Sequence, residues 1–189
     1  NRVLASITKF IEKKLGLKVN AEKSKVTRPT QTKYLGFSFW KSPKGQWKPK
    51  PHLKSYQKLI RKLKQLTNRS WSISLNDRIK KINYLIRGWV NYFRIANMKN
   101  KITEIDEHLR TRIRVIIWKQ WKKITPRQRA LEKLGVNKEI AHNLACARKG
   151  YQLICKTDWV KFAINNDRLR KRGLVFLLDQ YEKVHININ

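Results

Sequence analysis

The chain has 189 residues, and its 45 Lys and Arg against 12 Asp and Glu give a formal net charge of +33. Because such an excess of one sign repels itself in a compact fold, it indicates a polyanionic partner, and nucleic acid is the first hypothesis. The 41% hydrophobic residues, with seven Trp, six Tyr and six Phe, exclude a disordered chain. No apolar run approaches the roughly 18 residues of a membrane span, which excludes an integral membrane protein.

The first 51 residues predict a small α+β piece. A helix is expected from Val3 to Leu15 and ends at Gly16, because glycine readily takes the left-handed conformation that closes a helix. Residues 20–24 are predicted to form a turn.

An aromatic hairpin is predicted next. The segment Tyr34–Trp40 alternates imperfectly and favours a strand, and residues 41–46 favour a hairpin turn that returns through Trp47. Pro49 and Pro51 disfavour helix and mark the end of the piece.

Three amphipathic helices are predicted to follow, because apolar residues recur there at helical spacing. Their stripes are Leu53, Tyr56, Leu59, Ile60, Leu63 and Leu66, then Leu75, Ile79, Ile82, Leu85, Ile86, Trp89 and Phe93, then Ile102, Ile105, Leu109, Ile113, Ile116 and Ile117. Ser74 and Asp77 have the spacing of a capping box at the start of the second helix. The short links between the helices favour an antiparallel bundle.

The rest of the chain predicts a small helical subdomain. Shorter helices are expected at residues 127–133, 138–147, 159–164 and 174–184. The fold class expected is therefore mainly α with a small N-terminal α+β piece. Its predicted division is 1–51, 52–125 for the three-helix bundle, and 126–189 for the helical C-terminal subdomain.

Charge is concentrated in the middle of the chain. Residues 41–123 carry 23 Lys or Arg and four acidic residues, whereas residues 124–189 carry 13 and six. The middle third is therefore where the electrostatic footprint of a nucleic-acid partner is expected.

The residues that could carry chemistry do not form a complete active site. Asp106 and Glu107 are the one adjacent acidic pair, and helical spacing predicts that they pair with Arg110 rather than hold a metal ion. Cys146 and Cys155 lack zinc-site spacing and are expected to be buried thiols in a reducing compartment, inside a cell. We therefore predict no catalytic residues and no metal ligands in this chain.

Several motifs resemble one protein family. Asn20–Lys25 followed by Tyr34–Phe37 resembles the last two sequence blocks of group II intron reverse transcriptases, the end of the palm and the primer-grip hairpin. Arg87–Phe93 and Arg112–Trp121 are similar to the thumb of that family, its maturase-specific domain X. Gly150–Tyr151, with Asn166–Leu169 and Gly173–Leu174, is similar to the tail of short members that lack a DNA endonuclease domain.

The chain departs from that family in one respect. The resemblance implies a Tyr-x-Asp-Asp block upstream of this segment, and the sequence contains no Asp-Asp pair. Because the chain starts at Asn1 rather than Met, a fragment or an incomplete reading frame is expected. Gln152 stands where many relatives have Trp. The resemblance implies no cofactor for this chain, and Mg²⁺ only for the intact polymerase or for the intron RNA.

The candidate RNA contacts flank the apolar stripes, and the alternative is that they are solvated charges without a dedicated partner. They are Lys54, Lys58, Arg61, Lys62, Arg87, Asn91, Arg94, Arg110, Arg114, Lys119, Lys122 and Lys123. Trp89 and Phe93 are expected in the core rather than as stacking platforms. The basic run Arg168–Arg172 is expected to be a solvated surface, with nucleic-acid contact as its alternative.

The resemblance implies further roles near the N-terminus. Tyr34, Leu35, Gly36 and Phe37 are expected to hold the end of a primer, with a bulged core strand as the alternative. Lys23 is expected near an incoming nucleotide in the intact enzyme, or else is a solvated turn charge.

Three functions remain open at this point. The resemblance implies an RNA-binding maturase fragment that assists the folding of a structured intron RNA, in a bacterial cytoplasm or an organelle. The alternative is the thumb part of an RNA-directed DNA polymerase, bound to a template–primer duplex and to the missing upstream part of the enzyme. The third is a degenerate remnant without activity.

Overall fold

The structure, a computed structural model, describes residues 2–186 and confirms a mainly helical fold with one N-terminal β-hairpin. The strands are β1 (Phe37–Lys41) and β2 (Trp47–Pro51). The helices are α1 (Arg2–Leu15), α2 (Leu53–Leu66), α3 (Leu75–Tyr92), α4 (Lys99–Gln120), α5 (Ile124–Lys133), α6 (Lys138–Cys146), α7 (Tyr151–Ile154), α8 (Asp158–Ala163), α9 (Asn166–Lys171) and α10 (Leu177–Val184).

The N-terminal piece has the predicted elements with one change of extent. Helix α1 ends before Gly16, whose φ of +64° is the left-handed conformation expected of a closing glycine. The strands pair antiparallel from Phe37 opposite Pro51 to Lys41 opposite Trp47. The predicted start of the strand at Tyr34 is wrong, because residues 34–37 form a tight turn before β1.

One hydrophobic cluster joins α2, α3 and α4, as the apolar stripes predict. Trp118 is its largest fully buried side chain, and Ile82 and Ile113 are buried with it. Each such side chain contributes about 1.5–3 kcal/mol on burial, which decides the orientation of all three helices. Leu53 is the exception, since it lies exposed at the first position of α2.

The C-terminal helices extend the same cluster. Leu131 of α5, Leu169 of α9 and Leu177 of α10 are buried with the bundle residues, and α10 packs against α3 and α4. The helices before and after residue 125 therefore share one hydrophobic core. The predicted domain boundary near this residue stays a prediction. None of the helices within residues 2–186 combines the length and apolar character that crossing a membrane requires.

Two helices of this region were not expected, and two have shifted starts. Helices α7 and α9 are four and six residues long. Helix α5 begins at Ile124 because Pro126 is tolerated in its first turn, where the missing N–H has no helical partner. Helix α10 begins at Leu177, later than predicted.

The prediction of two buried thiols is wrong for one of them. Cys155 is buried, but Cys146 is exposed at the end of α6, and both are free. On α6, Ala141 and Ala145 face the core, so the neighbouring position 146 points outward.

The predicted pairing of Asp106 and Glu107 with Arg110 is also wrong. Asp106 is buried, and its two carboxylate oxygens accept the backbone N–H groups of Leu177 at 2.9 Å and Leu178 at 2.8 Å. It thus caps the first turn of α10 from a neighbouring helix. Burial raises the pKa of Asp106 to about 6, although the two backbone hydrogen bonds and the charge of Arg110 act in the opposite direction.

Candidate nucleic-acid interface

Helix α2 presents a cationic face to solvent. Its first turn is capped by His52, whose Nδ1 accepts the N–H of Lys54 at 3.1 Å. Tyr56, Leu59 and Leu63 turn inward, and the helix contains no acidic residue. The exposed face carries the four predicted contacts Lys54, Lys58, Arg61 and Lys62.

These four cations are available to a partner. They stand at positions i, i+4, i+7 and i+8 of the helix, so they share one side. In the described part of the chain none of them forms an ion pair. A face of this kind can bind phosphates by charge without competition from neighbouring carboxylates.

A second predicted group lies on α3 and in the turn after it: Arg87 and Asn91 are on the helix, and Arg94 follows its end. All three are exposed and have the spacing of one helical side. The Asn91 carboxamide oxygen accepts a hydrogen bond of 3.2 Å from the Gln180 side chain of α10. The main-chain carbonyl of Arg94 accepts the N–H of Ile186 at 3.2 Å. This group therefore borders α10, and its two guanidinium groups remain at the surface.

The predicted contacts on α4 and in the link after it differ in exposure. Arg110 is half-buried, with its guanidinium carbon 5.3 Å from the ring centroid of Phe176. Lys119 is exposed, and its ammonium donates to the carbonyl of Arg69 at 3.0 Å. Lys122 and Lys123 are exposed in the link to α5.

Arg114 is buried, which corrects the prediction that it forms an exposed pair with Arg110. Its residue surface is only 5% exposed, because the segment between α8 and α9 covers this side of α4. Its Nε donates to the carbonyl of Ile164 at 2.9 Å, and its Nη2 lies 3.4 Å from the Asn166 carboxamide oxygen.

The turn Tyr34–Phe37 is fixed by both neighbouring helices. Leu35 and Gly36 have φ of +48° and +82°, as in the mirror-image turns that join hairpin strands. A Cβ at Gly36 would lie 3.1 Å from the Ser55 hydroxyl and 3.3 Å from the Phe93 ring, so a larger residue would have to displace these side chains and also adopt an unfavourable positive φ.

The same turn presents its tip to solvent. Tyr34 and Leu35 are 65% and 66% exposed, whereas the Phe37 ring packs 4.8 Å from that of Phe93. A primer-holding role for Tyr34, Leu35, Gly36 and Phe37 stays a prediction. Lys23 lies exposed in the predicted turn, where its backbone N–H donates to the Asn20 side chain at 3.0 Å.

Several arginines have structural roles that the sequence did not indicate. Arg112 donates to the hydroxyl of Thr67 and to the carbonyl of Lys64, and so joins α4 to the end of α2. In the basic run after α8, Arg168 donates to the carbonyls of Leu134 and Ala163. Arg170 binds the carboxylate of Asp179 with both Nε and Nη2. The prediction of a solvated run is therefore wrong for Arg168, whereas Arg170 is exposed as predicted and is also paired with Asp179.

The arrangement is suited to binding rather than to acid–base chemistry. Within residues 2–186 no three His, Cys, Asp or Glu side chains come together in a group that could hold a metal ion. The buried carboxylate of Asp106 is occupied by backbone N–H groups. The predicted contacts on α2 and α3 are cations and an amide, which recognise phosphate and sugar oxygens.

Comparison with known families finds a match over the helical bundle. Residues 56–135, from the first turn of α2 to the end of α5, match the model of the family described as the group II intron, maturase-specific domain. No curated protein matches the chain.

Proposed function

We propose that this chain, which carries a group II intron maturase-specific domain, binds structured intron RNA and helps that RNA reach or keep its splicing-active fold. The family match over residues 56–135 is the observation that carries the proposal. The RNA performs the phosphoryl transfers with its own Mg²⁺ ions, and the protein contributes binding.

The mechanism is neutralisation of phosphates by cations held on rigid helices. A folded RNA brings phosphates close together, and their repulsion opposes compaction. The four unpaired cations of α2, with Arg87 of α3 and Arg94 just after it, supply positive charge on surfaces that the hydrophobic core holds in place. Because double-stranded RNA is recognised mainly by shape and backbone contacts, such surfaces fit a structured RNA.

A binding and splicing experiment tests the proposal. The chain should bind its intron RNA more tightly than an unrelated structured RNA of equal length and should speed splicing of that intron at limiting Mg²⁺. Crosslinked peptides should come from α2, α3 and the end of α4. Equal affinity for both RNAs, with no change in splicing rate, would reject the maturase function.

A second candidate is a clamp for a template–primer duplex in an RNA-directed DNA polymerase. It is favoured by the exposed Tyr34–Leu35 tip, which is fixed beside the end of α3. In that case the metal-binding carboxylates belong to an upstream segment. Binding of an RNA/DNA duplex more tightly than intron RNA would select this function over the first.

A further inference from the structure

An open cleft of about 540 Å³ lies beside the middle turns of α4. The segment from Lys156 to Asn166 forms its other side. Arg110 and Arg114 of α4 line it together with Lys156 and Lys161. Against these four cations the lining contains a single carboxylate, Glu107. The cleft is therefore strongly positive and is separate from the α2 face.

Arg114 is the most constrained of the four cations. Its guanidinium is held from one side by the carbonyl of Ile164, and no carboxylate of the described residues lies within ion-pair distance of it. Nη1 has no hydrogen-bond partner within residues 2–186. A buried charge without a counter-charge is costly, and an anion in the cleft would remove that cost. Burial and the neighbouring charge of Arg110 lower the pKa of Arg114, while Cys155 acts in the opposite direction.

The other cations stand around the opening. Arg110 is held over the Phe176 ring without an ion pair in the described chain. Lys156 is exposed, and it too forms no ion pair with any of the described residues. Lys161 lies 3.1 Å from the Asp158 carboxylate, but that carboxylate is 97% exposed, so water screens the pair.

We propose that this cleft is a binding site for a phosphate group, supplied by an RNA strand or by a free phosphate compound. Guanidinium groups grip phosphate oxygens in a fork, and Lys adds charge at the rim. The volume lies within the roughly 300–1,000 Å³ of small-ligand sites, so it has room for part of a nucleotide beside the phosphate. The RNA source rests on the function proposed above, whereas the phosphate site does not.

The test uses the whole chain with ¹⁵N-labelled arginine and follows the Nε–H signals of Arg110 and Arg114. Inorganic phosphate is one probe, and a short RNA oligonucleotide without terminal phosphates is the other. Phosphate should shift both signals saturably. Lys156→Gln should weaken phosphate binding about threefold, and Lys138→Gln, an exposed lysine outside the cleft, should leave it unchanged.

The probes distinguish the two sources. If the oligonucleotide causes saturable shifts that inorganic phosphate competes away, the ligand of the cleft is an RNA strand. If inorganic phosphate causes the shifts and the oligonucleotide does not, the ligand is a free phosphate compound. Shifts that do not saturate, or an equal loss in Lys156→Gln and Lys138→Gln, overturn the site. Arg114→Lys is a stricter variant but could unfold, and the exposed Lys156 avoids that problem.

Failure of the phosphate site is distinguishable from failure of the maturase function. Affinity for intron RNA and for unrelated RNA is measured on the same samples. Saturable phosphate binding without a preference for intron RNA retains the cleft and rejects the function. A preference for intron RNA without saturable phosphate binding rejects the phosphate site and retains the maturase function.

Discussion

The phenol of Tyr92 donates a hydrogen bond of 2.8 Å to the backbone carbonyl of Leu35. The bond joins the last residue of α3 to the tip of the turn before β1. Leu35 has a positive φ, which costs a non-glycine residue about 1–2 kcal/mol, so the turn needs outside support. Tyr92 and the Phe93 ring supply it, and the two sequence motifs thereby form one structural unit.

Removing that hydroxyl group should loosen the turn without unfolding the bundle. Tyr92→Phe loses one hydrogen bond at a half-exposed position, a change of about 0.5–1 kcal/mol. The backbone N–H of Phe37, which donates to the Tyr34 carbonyl, should therefore exchange with solvent about two- to fivefold faster. Tyr84→Phe is the matched control because Tyr84 is exposed and its hydroxyl has no partner within residues 2–186. Equal exchange in both variants would contradict the role of Tyr92.

Asp106 should make stability fall as pH rises from about 4 to 6. Its pKa is raised from 3.8 to about 6 in the folded chain, so the folded state binds this proton more tightly than the unfolded state. Protonated Asp106 therefore contributes on the order of 3 kcal/mol to the free energy of unfolding below pH 4. This contribution is lost as the pH rises through 6.

Asp106→Asn removes this titration. The free energy of unfolding, measured with urea at pH 4, 5, 6 and 7, should then differ between wild type and variant by an amount that changes with pH. Asp158→Asn serves as control, since that carboxylate is almost fully exposed. A pH-independent difference for Asp106→Asn would show that the carboxyl ionises normally in the fold.

Neutralising the α2 face should reduce the salt dependence of RNA binding. With Lys54, Lys58, Arg61 and Lys62 changed to Gln, the slope of log K against log salt should lose about 0.7–0.9 for each phosphate contact removed. A control with the same charge change replaces four exposed cations of the C-terminal region, Arg129, Lys133, Lys138 and Lys149. If the control lowers the slope as much as the α2 variant, binding follows net charge and not this face.

Sequence patterns predicted the long helices. They missed very short helices and the burial of side chains by residues far along the chain. Helices α2 to α4 span several turns, so their apolar periodicity is unmistakable, whereas α7 has four residues and gives no periodic signal. Arg110 and Arg114 stand one turn apart, and their spacing predicts one exposed face. Only the fold shows that Ile164, 50 residues later, covers Arg114.

Arg78 is the clearest example of a cation that the fold uses internally, and it leads to the last prediction. It is buried in α3, where its guanidinium donates to the carbonyls of Leu66, Asn68 and Trp71. These bonds hold the α2–α3 loop, whose Arg69 carbonyl also accepts from Lys119. Burial lowers the pKa of Arg78, and the three carbonyls compensate for its desolvation.

Lysine cannot replace this arginine, because a single ammonium cannot reach carbonyls arranged around a planar fork. Arg78→Lys should lower the free energy of unfolding by roughly 2–4 kcal/mol in urea titrations. Lys80→Met, an exposed change on the same helix, should alter it by no more than about 0.5 kcal/mol. In Arg78→Lys the amides of residues 67–74 should also exchange faster than those of α4, because the loop loses its anchor before the core does. Unchanged urea midpoints in Arg78→Lys would mean that the loop is held by its own turns and not by the buried guanidinium.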